Sequence, residues 1–94
     1  MIEVHFYFIS GMTDKKDVWN MEIETSFEID SYDAINLIQG FVRDQLFKEK
    51  YQGKVKVYLI FYKLFQKGNF VDSDKDIEVK KAIDKHGFYM RKRK

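Results

Sequence analysis

The side chains suited to catalysis are few in this sequence, and they are scattered. His5 and His86 are the only histidines; they stand at opposite ends of the chain, and neither has a Cys, His or Glu at a metal-ligand spacing. No Cys is available as a nucleophile. Ser10 precedes Gly11, but neither a G-x-S-x-G elbow nor a glycine-rich phosphate loop surrounds it. Asp72-Ser73-Asp74-Lys75-Asp76 places acids at alternate positions, as a calcium loop does. That loop then requires Gly where Ile77 stands and Glu where Ile83 stands. Acids at the start of a helix account for the run without a metal. Glu78-Val79-Lys80 matches the carboxylate-x-Lys fragment of many metal-dependent nucleases, with no partner acid on a preceding strand to support it. These patterns point away from an enzyme, a cofactor or a metal, and towards binding.

Two features are suited to binding. The first is basic and aromatic. Arg91-Lys92-Arg93-Lys94 forms a cationic tail, and Lys54, Lys56, Tyr58 and Tyr62 fall at alternate positions, on one face of a strand. Clustered cations gain by counterion release from phosphates, and aromatic rings stack bases at about 1–3 kcal/mol each. His5 and Tyr7 are expected to join that face. Glu22, Glu24 and Glu28, expected there too, either repel phosphate or pair with Lys54 and Lys56; the tail reads equally as a solvated terminus. The second feature is apolar. Leu37, Phe47 and Tyr51 lie off the main stripe of a helix and, with Trp19, form a candidate protein interface. The alternative for these residues is a small second core beneath residues 70–90.

The elements that must position these groups follow from hydrophobic period. Residues 2–9 alternate, with Ile2, Val4, Phe6 and Phe8 on one side and Glu3, His5 and Tyr7 on the other. Residues 10–17 are polar and turn-forming. Alternation resumes over 18–29, where Trp19, Met21, Ile23, Phe27 and Ile29 share a face, so the two stretches predict an antiparallel hairpin. Asp30 or Ser31 then caps a helix over 31–51, with Asp33 in its first turn. Ala34, Ile35, Ile38, Phe41, Val42 and Leu46 step by three and four as its buried stripe. Gly40 within that helix implies a close helix-to-sheet contact, and Gly53 stops it. Residues 54–65 alternate again, with Val55, Val57, Leu59 and Phe61 inward, and read as a central strand. Residues 72–85 read as either a helix or a strand, and 88–90 as a short last strand.

Composition sets the scale. Ninety-four residues leave room for one domain, expected over 1–90, with 91–94 as its tail. Nine Phe, six Tyr and one Trp supply large buried surfaces to a small core. Absence of Cys suggests a reducing compartment; with no secretion-signal pattern at the N-terminus and no apolar run of membrane-spanning length, a cytoplasmic protein is expected. Codon-biased composition, rich in Lys, Phe, Ile and Tyr and free of Pro, suggests a low-GC bacterium, plasmid or phage. The net charge of +2 hides an acidic first half and a basic second half, a distribution that steers association.

The sequence therefore predicts an α+β domain of order β-β-α-β(-α-β), with a small, mainly antiparallel sheet covered on one face by the helix at about 31–51. The leading functional expectation is a non-enzymatic module that binds a protein partner or a second copy of itself. A nucleic-acid-binding domain using the tail and the Tyr/Lys face is the second.

Overall fold

The computed structural model describes residues 3–69, 81, 85 and 87–91. Its elements are β1 (Glu3–Thr13), β2 (Val18–Thr25), α1 (Tyr32–Val42), a π-helical turn (Arg43–Phe47), α2 (Lys48–Tyr51), β3 (Val57–Asn69) and β4 (Phe88–Arg91). The strands form one sheet in the order β3-β1-β2-β4. The fold is α+β, with an open antiparallel sheet and the helical segment of residues 32–51 on one of its faces. Lys81 and Lys85 have helical backbone, while the rest of 72–85, including the acidic run at 72–78, lies outside the described residues. So do Ile2, His86, Lys92, Arg93 and Lys94. Arg91, expected in the tail, belongs to β4, whose backbone pairs antiparallel with β2 so that Arg91 stands opposite Glu22.

Packing groups the chain into two compact units, each built from parts of the three long strands. One comprises Met1–Phe8, Met21–Glu28 and Lys63–Lys94; the other comprises Ile9–Asn20 and Ile29–Tyr62. In the first, Val4, Tyr7, Met21 and Ile23 are buried, and Phe8 stacks on Phe65 with ring centroids 4.3 Å apart. Gly87, at φ +85°, accepts the Ser26 N–H at 2.9 Å and so ties the start of β4 to the end of β2.

The second unit holds the helix. β1 runs four residues further than its alternation suggests, because Gly11 and Thr13 continue the buried row of Ile9. The turn is tight. The Thr13 N–H donates to the Asp17 carbonyl (2.9 Å), the Lys16 N–H donates to the Thr13 carbonyl (3.0 Å), and Lys16 takes φ +66°. This is a three-residue hairpin loop closed by a left-handed residue. Ser31 caps α1, its hydroxyl accepting the Ala34 N–H at 3.3 Å, and Asp33 sits in the first turn as the sequence implies. Ile38 and Val42 are fully buried. The stripe then departs from expectation, since Phe47 is buried and Leu46 is 42% exposed. The π turn explains the change: its i→i+5 spacing carries the buried row from Val42 to Phe47, five residues on, where an α-helix would have used Leu46. Gln52 and Gly53, at φ +52° and +77°, end the helix, and the Gly53 N–H donates to the Lys48 carbonyl at 2.9 Å.

Two further expectations are corrected. Among the described strands β3 lies at the edge of the sheet and not at its centre. Only Val55 and Val57 of its inward row are buried, while Phe61 is 53% exposed. The close contact assigned to Gly40 belongs instead to Gly11. A Cβ at Gly40 would meet nothing within 4 Å, whereas one at Gly11 would overlap the Tyr58 carbonyl oxygen and lie 2.7 Å from the Trp19 ring. Backbone approaches backbone at Gly11 because no side chain intervenes. Gly11→Ala is therefore expected to lower the unfolding free energy by about 1–3 kcal/mol through overpacking. Gly40→Ala, at an open helical position, is expected to raise it by about 0.5–1 kcal/mol. Chemical denaturation of the two variants checks both signs.

Candidate functional site

The hairpin turn and the Asp14 N–H bond to the Lys56 carbonyl (2.9 Å) fix which side chains share a face in the second unit. Ile9, Gly11, Thr13, Trp19, Val55 and Val57 lie on the buried face, beneath the helix. The alternate positions carry Met12, Val18, Tyr58, Ile60 and Tyr62 on the opposite, helix-free face. They are exposed: Val18 by 74%, Ile60 by 68% and Tyr58 by 46%. Isolated exposed apolar residues are ordinary, but five on one sheet face form a patch of the kind that marks an interaction site.

At the edge of the same unit, an open groove of about 280 Å³ runs between helix and strand. It is lined by Asn36, Gln39, Gly40 and Arg43 from the helix and by residues 55–58 from the strand side. Gln39 spans it. Its Nε2 donates to Asn36 Oδ1 (3.3 Å), and its Oε1 accepts the N–H of Leu59 (2.9 Å). The Lys56 carbonyl faces β1, so the amide of Leu59, three residues on, points away from the sheet, and Gln39 satisfies it. Arg43 pairs through Nε with Asp44 at 3.2 Å.

Asp17 anchors the hairpin loop to the end of the helix. Lys50 Nζ lies 3.2 Å from both carboxylate oxygens of Asp17, and the Tyr51 hydroxyl donates to Asp17 Oδ2. These bonds, Tyr51 first and Lys50 second, hold the Asp17 carboxyl below its ordinary value of 3.8. The Asp17 carboxylate in turn raises both the Lys50 ammonium and the Tyr51 hydroxyl above theirs. In the first unit, buried His5 places Nε2 3.1 Å from Glu3 Oε1 and 3.5 Å from Glu28 Oε1, and Lys67 Nζ lies 2.6 Å from Glu28. The bond from Lys67 is the main cause that lowers the Glu28 carboxyl.

The residues singled out from sequence divide accordingly. Tyr58, Tyr62, Lys54 and Lys56 are exposed, as a contact surface requires. His5 and Tyr7 are buried in the row of Ile9 and leave that face, and Glu24 is buried as well, at 2% exposure. Of the apolar interface candidates, Trp19 and Phe47 are interior residues, Tyr51 is half-buried and held by Asp17, and Leu37 alone is well exposed, at 49%. Met12 and Val18 were missed because 10–17 reads as a loop, so the strand positions of the hairpin end are not visible in the pattern; Ile60 falls in the same alternating row as Tyr58 and Tyr62. Gln39 and Arg43 were missed as well, although Asn36, Gln39, Gly40 and Arg43 recur at helical spacing beside the apolar stripe.

Among the described residues no group of three or more His, Cys, Asp or Glu side chains is arranged to hold a metal ion, and no helix is long and apolar enough to cross a membrane. The chain matches no protein-family model, and comparison with curated proteins and with solved structures gives no match.

The Asp17 anchor has a pH signature. A carboxyl lowered by folding contributes stability above its unfolded value, and that contribution is lost as pH falls through the folded value. Wild type is expected to melt above Asp17→Asn at neutral pH, and the two melting temperatures to converge as pH drops below 3.8. Thermal melts of both proteins across that range check the sign.

Proposed function

We propose that this chain is a non-enzymatic interaction module that works by self-association through the helix-free face of its second unit. The observation that carries the reading is the exposed row Met12, Val18, Tyr58, Ile60 and Tyr62, which has no covering element within that unit. Removing such a patch from water stabilises association by roughly 25 cal/mol per Å² of apolar area before ordering costs. The five residues of the row are uncharged, and Lys54 and Lys56 follow them along the same strand face, so a second copy in an isologous two-fold arrangement must leave these cations at the rim. Two sheets meeting by such faces pack about 10 Å apart, as in a sandwich. The lack of Cys in so small a chain fits a reducing setting such as the cytoplasm.

A second reading rests on the exposure of Tyr58 and Tyr62 beside Lys54 and Lys56. Rings for stacking and cations for phosphates suit single-stranded nucleic acid. This reading requires an affinity for a labelled oligonucleotide that falls steeply with added salt. It also loses the support of His5 and Tyr7, which are interior residues.

Light scattering on size-exclusion fractions decides the leading reading. Wild type is expected at twice the 11.4 kDa of one chain, and Ile60→Lys, which places a charge at the centre of the face, at one chain's mass, still melting cooperatively but without the rise of melting temperature with concentration that association gives wild type. A wild-type chain that stays monomeric at the highest attainable concentration contradicts self-association.

A further inference from the structure

The geometry points to the groove between helix and β3 edge as a docking site for an extended, acidic peptide segment that adds a strand to β3, a second binding activity separate from the apolar face. Three observations converge on that occupant. The first is the backbone. β3 is an edge strand, and its Leu59 N–H points out of the sheet into reach of Gln39. The Gln39 side-chain carbonyl therefore sits where the backbone carbonyl of an added strand would sit, and a single rotamer change frees the donor. An edge that presents unpaired backbone groups is the template for strand addition.

The second is charge. The groove is lined by Arg43 and Lys56 and by no Asp or Glu. Asp44 engages only Nε of Arg43, at 3.2 Å, which leaves terminal guanidinium N–H groups for an incoming carboxylate. The third is room. Gly40 lies on the groove wall, and a Cβ there would meet nothing within 4 Å, so the missing side chain opens space without being required by the fold. The same glycine supplies a selective test, because a large side chain at that position fills the groove while the helix tolerates it.

The experiment titrates the whole chain into a fluorescein-labelled peptide of alternating Val and Glu and follows anisotropy, with the alternating Val and Lys peptide as control. Binding of the Val/Glu peptide and not of the Val/Lys peptide is expected. Arg43→Ala should weaken it by about tenfold or more, the loss expected from one hydrogen bond to a charged group, and Gly40→Leu should weaken it at least as much by filling the groove. Ile60→Lys should leave it unchanged, which separates this site from self-association: a monomeric wild type that still binds the peptide removes the apolar-face reading alone. Melting curves verify that Gly40→Leu and Arg43→Ala are folded, and a chemical-shift change at the Leu59 amide on titration reports the site directly. Failure of the Val/Glu peptide to bind, equal binding of both peptides, or indifference to both groove variants overturns the inference. Displacement of the peptide by an oligonucleotide that itself depends on Gly40 and Arg43 assigns the groove to nucleic acid and overturns it too.

Discussion

The surfaces of this protein depend on how closely β3 lies against β1 at Gly11. The Tyr58 carbonyl occupies the space that any side chain at position 11 would need. β3, so seated against β1, lies at the margin of the described sheet, with Val55 and Val57 buried and with Tyr58, Ile60 and Tyr62 turned to the other side. The Leu59 amide points outward, where the Gln39 side chain accepts it. Opening this contact would change the inward row, the apolar face and the groove together.

An exposed edge strand invites uncontrolled pairing, and proteins usually blunt it with charge, bulges or a covering group. Here a side-chain amide, that of Gln39 held by Asn36, covers the outward N–H of Leu59. The apolar face and the groove therefore select by different physics. The face offers exposed apolar area flanked by Lys54 and Lys56. The groove offers a backbone donor between two cations, which suits an extended anion. Asp17, bound to Lys50 and Tyr51, secures the hairpin end that carries Met12 and Val18, so the geometry of the face rests on an ion pair as well as on packing.

Much of the fold is legible in the sequence. The alternation that starts at 18, the Ser31 cap and the three-and-four spacing from Ala34 to Val42 locate a strand and a helix because burial imposes those periods, although the strand ends at Thr25 and not at the expected 29. What escapes the pattern has physical reasons. The π turn shifts the buried row from Leu46 to Phe47 without any residue that marks it, so Phe47 reads as a surface residue. Gly11 and Thr13 look like loop residues because glycine and threonine carry little hydrophobic signal, although both are buried. An edge strand and a central strand share the same alternation, since pairing partners depend on the long connection through the helix and not on local composition. The tyrosines of the candidate site were legible as exposed strand residues; the groove was not, because it exists only where the helix meets that edge.

Amide hydrogen exchange at Tyr58 and Leu59, in wild type and in Gln39→Ala, tests the central claim most directly. With β3 as an edge strand, the Tyr58 amide, directed towards β1, stays protected in both proteins, while protection at Leu59 is present in wild type and collapses when Gln39 is truncated. Undiminished protection at Leu59 in Gln39→Ala would mean that its N–H is paired elsewhere, and the open edge, with the groove built on it, would be contradicted.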